Sequence, residues 1–222
     1  MESISVLLPC YNEEEGVGIC IDKINKVFDK ERLDGEILVI DNGCTDNTVE
    51  VAKTLGVKVV DEPKTGYGNA YLAGFKKAKG DVIILGDADN SYDFYDIPRL
   101  LENIKDADFV IGNRIKQKGS MSLLHRIGNP IFSWLLRNLF KINISDSHCG
   151  FGAIRKEALN KLNLKSSGME FASEILIKAK KKGLKIKEID IDYYPRIGKS
   201  KLRSFRDGFR HLGLIARERI LD

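Results

Sequence analysis

An α/β fold, with a mostly parallel central sheet flanked by helices, is what this sequence predicts. Three observations lead there. Short apolar runs alternate with helix-like segments through the first half. The runs are near-continuous Val, Ile and Leu, as in parallel strands covered on both faces. Each run also breaks at its carboxyl end into an unusual polar cluster, and ligands of such sheets bind beyond the carboxyl ends of the strands.

Taken in order, "SISVLLPCYNEEE" predicts a strand over 3–8 ended by Pro9. The helix after it opens on Asn12 and three glutamates, which complement the helix dipole. Ile19, Ile24, Val27 and Phe28 give that helix an apolar face to about residue 30. "EILVIDNGCTDNT" is a strand over 36–40 that breaks at Asp41-Asn42-Gly43, with Thr45 or Asp46 capping a helix over 47–55. Gly56 stops that helix, and "VKVVDE" is the third strand. "GYGNAYLAGFKKAKG" runs from a glycine-rich start into a helix closed by Gly80. A strand over 82–85, a helix near 95–104 and a strand over 108–112 complete the alternation.

Beyond residue 113 the pattern shifts toward amphipathic helices. In "SMSLLHRIGNPIFSWLLRNLF" the residues Leu124, Ile127, Ile131, Trp134 and Leu135 form one stripe, opposite Arg126, Ser133 and Arg137. Pro130 is expected to split this segment into two helices. "HCGFGAIRKEAL" reads as a strand entering a helix, "FASEILIKAKKKG" as a helix ended by Gly183, and "KIKEIDIDYYP" as an alternating strand over 186–194. The C-terminal helix carries Phe205, Phe209, Leu212, Ala216 and Ile220 on one face and Arg203, Arg206, Arg210 and Arg217 on another. With no repeat and no Pro- or Ser-rich linker, residues 1–222 are expected to form one domain. Its halves divide at about residue 112.

The composition, 43% hydrophobic and 31% charged, is that of an ordinary globular protein. Cys10, Cys20, Cys44 and Cys149 have neither disulfide-framework nor zinc spacing, and read as reduced thiols in a cytosolic protein. Met1 to Leu8 is already a strand-like run with no basic region, so no secretory leader is expected, and no apolar run reaches the ~18–20 residues of a spanning helix. The net charge of +4 conceals segregation. Residues 81–108 hold eight acids against Arg99 and Lys105, residues 113–145 hold six bases and no acid, and residues 196–222 hold eight Lys or Arg against three acids. An acidic strand tip facing two basic segments suits a metal ion and phosphates.

The sharpest motif is "GDADNSYD", which delivers Asp87 and Asp89 to the tip of an apolar strand. Alone the pair fits either a solvated turn or a site for Mg2+ or Mn2+, both of which take hard oxygen ligands. The coincidence of Tyr11-Asn12-Glu13, Asp41-Asn42 and Asp87-Ala88-Asp89 at three strand ends favours the site.

With "LLPCYNEE", "IDNGCTDNT", "KTGYGNAYLAGF", "GDADNSYD", "GNR", "SDSHCGFGAIRKEAL", "GMEF" and "PRIGKSKL" in that order, the chain resembles the inverting glycosyltransferases of family 2 from residue 4 to about 202. Within that family it looks most like the dolichyl-phosphate mannose synthases and related polyprenyl-phosphate sugar transferases. The resemblance implies the Rossmann-like GT-A fold. It implies a nucleotide-sugar half (about 1–112), an acceptor half (about 113–222), and transfer of a hexose to dolichyl or polyprenyl phosphate. The donor would be GDP-mannose, UDP-glucose or UDP-N-acetylglucosamine.

The resemblance assigns nucleotide-sugar binding to Pro9, Tyr11, Asn12, Glu13, Ile40, Asp41, Asn42, Lys64, Gly68, Asp87, Ala88 and Asp89. Lys64, Gly66 and Gly68 precede a helix whose free N–H groups could face a phosphate. Mg2+ or Mn2+ would be held by Asp87 and Asp89, stabilising the departing diphosphate; Ser91 stands where the mannose synthases carry a metal-contacting Gln. Because a polyprenyl phosphate is already anionic, such a site needs no general base but cations to set two phosphate groups side by side. Arg114, Arg126, Arg196, Ser200 and Lys201 are placed there by the resemblance, Asp89 and these four cations being the catalytic set. "RIGKSK" is shorter than the usual R-x-x-G-E-S-K. "GFGA" puts Gly152 where relatives carry an arginine, so one phosphate contact is missing or supplied elsewhere, for example by Arg155.

An acceptor with a sugar hydroxyl is the alternative; it needs a base, for which Asp146 and Glu170 are the candidates. Nucleic acid is not an expected partner, since the bases are not interleaved with exposed aromatics suited to stacking. His148 beside Cys149 is not a nucleophile pair, because strand neighbours point to opposite faces. The expected location is the cytoplasmic face of a membrane, with peripheral attachment through basic amphipathic helices. A membrane-protein partner or a homo-oligomer stays open.

Overall fold

A computed structural model describes residues 2–115, 123–198 and 204–220, with the backbone alone for 123–127 and 204–205. Strands β1 (Ile4–Cys10), β2 (Gly35–Asp41), β3 (Lys58–Asp61) and β4 (Val82–Leu85) alternate with helices α1 (Glu14–Glu31), α2 (Thr48–Thr54) and α3 (Tyr67–Lys77). A short 3-10 turn (Phe94–Asp96) leads into α4 (Ile97–Ile104) and β5 (Phe109–Asn113). There follow α5 (Leu123–Phe140), β6 (Gly152–Arg155), α6 (Lys156–Leu159), α7 (Phe171–Lys181), β7 (Ile186–Asp190) and α8 (Ser204–Ile220).

The seven strands form one sheet in the order β3-β2-β1-β4-β6-β5-β7. All are parallel except β6, which runs antiparallel between β4 and β5. The chain steps outward from β1 to β3, then returns to lay β4 on the other side of β1. Right-handed crossovers therefore put α1 and α2 on one face and α3 on the other. α1 packs with α2 and α4, whereas α3 packs with α7, which meets α5 and α8. The reversal leaves a crevice between the tips of β1 and β4, where such sheets bind ligands. Val6, Leu7, Leu8, Leu38, Val39, Ile83 and Ile84 are fully buried between the helix layers.

Two local expectations change. Pro130 lies inside a continuous α5. The lost backbone donor is tolerated because Ser133, Leu136 and Phe140 anchor the following turns in the core. β7 ends at Asp190, short of 194, and beyond it Tyr193 forms an isolated bridge with Tyr92. On α8 the apolar stripe faces outward: Phe209 is 73% and Ile220 83% exposed. The anchoring residues are His211, Leu214, Ile215 and Glu218.

Candidate active site

The polar turns after β1 and β2 hold each other. Asn12, in the left-handed region at φ 59, accepts the Thr45 N–H at 2.7 Å through Oδ1, and the Glu13 N–H donates to Thr48 Oγ1 at 2.8 Å. Asp41 Oδ1 closes its own turn by accepting the Gly43 and Cys44 N–H groups. Buried Asn42 bridges to the glycine loop, donating to the carbonyls of Glu62 and Lys64 and accepting from Gly66 N–H. These contacts fix the rim of a cavity of about 480 Å3, a volume suited to a small-molecule ligand. Pro9, Tyr11, Glu13, Asn42, Gly66, Asp87, Ala88, Asp89 and Arg196 all line it.

The carboxylate pair lies on the floor of this cavity. Tyr67 Oη donates to Asp87 Oδ1 at 3.0 Å. Burial and the neighbouring Asp89 charge push the Asp87 carboxyl up to about 7. Asp89 Oδ1 accepts from the Ser91 amide and hydroxyl, so Ser91 braces that carboxylate. Arg196 Nη2 sits 3.2 Å from Asp89 Oδ2 and 3.6 Å from Glu13 Oε1. Its Nε is buried and makes no hydrogen bond. A carboxylate pair beside a guanidinium with one uncommitted N–H is a combination that suits a divalent ion carrying a diphosphate. No cluster of three or more metal-ligating side chains occurs among the described residues. Two carboxylates suffice for Mg2+ or Mn2+ when phosphate oxygens and water complete the shell.

Other predicted residues are placed differently. Ile40 is core, with no exposed surface, and its side chain lies beneath Gly74. Lys64 is exposed and Asn12 and Asp41 serve the rim; none of the three lines the cavity. A Cβ on Gly68 would meet the Ser166 carbonyl at 2.0 Å, and one on Gly66 the Ser167 carbonyl at 2.2 Å. These glycines admit the 166–167 backbone, and the Asn69 N–H donates to Ser167. Arg114 is withdrawn from the cavity: it is 7% exposed and forms a two-point pair with Asp146, Nε–Oδ2 2.7 Å and Nη2–Oδ1 2.8 Å. Its guanidinium also lies over the Tyr193 ring, 5.1 Å from the centroid.

The pair removes Asp146 as a base, since Arg114 holds its carboxyl below the ordinary range. Glu170 lines a separate cavity of about 230 Å3 with Lys165, Arg210 and Arg217. A side chain at position 152 would strike the Val110 carbonyl at 2.5 Å, and Arg155 bonds Glu2 and Ile104 at the opposite end of the sheet, so it supplies no phosphate contact. The Arg126 side chain, Ser200 and Lys201 lie outside the described residues.

Sequence reasoning missed Tyr67, the Ser167–Met169 loop, and Arg206 and Arg210, which also line the larger cavity. "GMEF" had flagged Gly168 and Met169 without a role. The i,i+4 spacing of the two arginines was visible, but not the surface they face.

Residues 5–162 match the family profile Glycosyl transferase family 2. The chain belongs to that family. It is 39% identical over 216 residues to the low-salt glycan biosynthesis hexosyltransferase Agl6 of Haloferax volcanii, covering 95% of this chain and 52% of that protein. The chain therefore spans about half the length of this relative. It is 31% identical to the dolichyl-phosphate hexose transferase of Haloferax volcanii, covering 93% of this chain and 90% of that protein. Among solved structures, glucosyl-3-phosphoglycerate synthase from Mycobacterium tuberculosis, in complex with Mn2+, UDP-glucose and phosphoglyceric acid, superposes with a TM-score of 0.76. That match has 19% identity and covers 98% of this chain and 80% of the other. The fold is GT-A, and the chain is a family-2 glycosyltransferase.

Proposed function

We propose that this glycosyltransferase moves a hexose, with inversion, from a nucleotide sugar to dolichyl or polyprenyl phosphate. The observation that carries the reading is the content of the cavity. It joins a carboxylate pair to arginines, while neither carboxylate foreseen as a base reaches it. An acceptor that brings its own negative charge needs no such base. The name of the dolichyl-phosphate hexose transferase relative supports the same acceptor class. GDP-mannose, UDP-glucose and UDP-N-acetylglucosamine are the candidate donors.

The donor half, about 1–112, would hold the nucleotide against Pro9, Tyr11, Glu13 and Asn42. Asp87 and Asp89 would hold Mg2+ or Mn2+, which when bound neutralises charge developing on the diphosphate. Tyr67 and Ser91 orient those carboxylates by hydrogen bonds. Arg196 stands beside the pair, with an unused Nε for a phosphate oxygen. The acceptor's phosphate oxygen attacks the anomeric carbon from the side opposite the diphosphate. As that bond forms, the bond to the diphosphate breaks and its electron pair leaves with the nucleoside diphosphate.

Attachment to the cytoplasmic face of a membrane belongs to this reading. No helix among the described residues is long and apolar enough to cross one. Ile131 and Trp134 on α5, with Phe209, Leu212 and Ile220 on α8, present apolar side chains to solvent on two helices that pack together. Arg137, Arg206, Arg210, Arg217 and Arg219 add positive charge, suiting an anionic interface. The test is a panel of the three nucleotide sugars with Mn2+, offered farnesyl phosphate or a soluble sugar hydroxyl. Sugar on the phosphate is the expected product; transfer to the hydroxyl alone refutes the reading.

A further inference from the structure

We infer that Arg206 and Arg210 of α8 form the subsite for the acceptor's phosphate, with its hydrocarbon chain leaving over Phe209 and Leu212. This rests on the reading that the acceptor is a lipid phosphate, and it places that group on residues outside the set the resemblance implied. Spaced i,i+4, the two arginines share one face of α8, and both line the cavity that contains Asp87 and Asp89. Their direction is fixed by the neighbouring positions of the helix that pack inward. Buried His211 meets Ser173 Oγ at 2.8 Å and His148 Nε2 at 3.3 Å, Leu214 and Ile215 are in the core, and Glu218 pairs with Lys181 at 3.2 Å.

The facing loop is shaped to admit the guanidinium, since a Cβ on Gly168 would lie 2.3 Å from Arg210 Nη1. Glu170 Oε2 pairs with Arg210 Nη1 at 3.9 Å, beyond hydrogen-bond reach, and is itself without a hydrogen bond. Arg210 also borders the second cavity, where Lys165 and Arg217 extend the positive surface. Asp207 lines the larger cavity beside the arginines, and Arg196, paired with Asp89, lines it too. Phe209 and Leu212, 73% and 45% exposed, lie on the adjacent stripe of the same helix. An anionic headgroup with an apolar tail matches that pairing of surfaces.

Titration with farnesyl phosphate, followed calorimetrically, separates the possibilities. In the R206Q/R210Q double variant the dissociation constant and the acceptor KM should each rise about tenfold or more, with nucleoside diphosphate affinity in Mn2+ within about twofold of wild type. R210K should recover only part, because lysine lacks the planar fork. F209S/L212S should weaken farnesyl phosphate without changing the affinity for inorganic phosphate. Unchanged farnesyl phosphate binding in the arginine double variant overturns the subsite, as does an equal loss of nucleotide binding, which would assign the arginines to the donor. A wild type that binds farnesyl phosphate through these arginines but never glycosylates it upholds the subsite and refutes the proposed reaction.

Discussion

Tyr67→Phe removes one oxygen atom and tests how the carboxylate pair is kept ready for a cation. The hydroxyl donates to Asp87 Oδ1 at 3.0 Å, in a setting where burial and Asp89 already raise the Asp87 carboxyl to about 7. A hydrogen bond to a charged partner is worth about 1.5–3 kcal/mol, so losing it should weaken Mn2+ binding by roughly 10- to 150-fold. Outer-shell substitutions at metal sites fall in a similar range of about 10- to 100-fold. Electron paramagnetic resonance of free Mn2+, titrated against protein and nucleoside diphosphate, measures this without turnover. Tyr71→Phe is the control, because the Tyr71 hydroxyl is buried beside Tyr67 but makes no hydrogen bond to Asp87, and its ring stacks on Phe171. The expected outcome is a large loss for Tyr67→Phe and none for Tyr71→Phe. Mn2+ binding within about twofold of wild type in a folded Tyr67→Phe protein would sink the reasoning.

Asp89→Asn keeps the oxygen that Ser91 bonds but removes charge from the floor, and should cut turnover on the order of 100-fold or more, as should chelation of wild type; full turnover in chelator removes the metal from the reaction. Asp146→Ala leaves the Arg114 charge buried and unpaired, at a cost of about 3–5 kcal/mol in urea unfolding; a loss under about 1 kcal/mol would mean the pair is replaced by solvent. Burial lowers His211 from 6.5 to about 4, so the unfolded state takes up its proton first as pH falls. The stability of the neutral histidine is complete above pH 6.5 and declines toward pH 4, by about 2 kcal/mol at pH 5. Wild type should lose that much more than His211→Asn between pH 7 and 5, and parallel curves would contradict it. Trp134→Ser with Ile220→Ser should reduce sedimentation with phosphatidylserine vesicles without moving the unfolding midpoint; undiminished binding assigns those side chains no role at the interface.

The central sheet was legible because parallel strands are written as apolar runs and because the chain turns polar at their tips. Asp87, Asp89, Glu13 and Tyr11 were found for that reason. What escaped was pairing between distant segments. Nothing near "GNR" indicates that Arg114 would be claimed by Asp146, 32 residues on. Gly66 and Gly68 look the same whether they admit a phosphate or the carbonyls of Ser166 and Ser167. For α8, periodicity shows which residues share a face but not which face is buried. The side facing α5 and α7 took His211 and Glu218 together with Leu214 and Ile215, leaving Phe209 and Ile220 outside.

The reversed strand has a consequence for how the catalytic edge is wired. A parallel strand brings to that edge only the loop that follows it, whereas β6 brings the loop that precedes it. That loop is tethered at Asp146 by Arg114 and at Gly152 by its pairing with Leu85 and Ile111. Residues 147–151 therefore form a strap with no slack. At its middle, the absent side chain of Gly150 leaves the gap into which Asp87 and Tyr67 reach; a Cβ there would lie 2.8 Å from both oxygens. Moving β6 by one residue would replace Gly152 with Ala153 against the Val110 carbonyl and drag the strap across Asp87. The spacing of the strap is thus a gauge for the carboxylate, and one inserted residue between Asp146 and Gly152 should disturb cation binding before it disturbs the sheet.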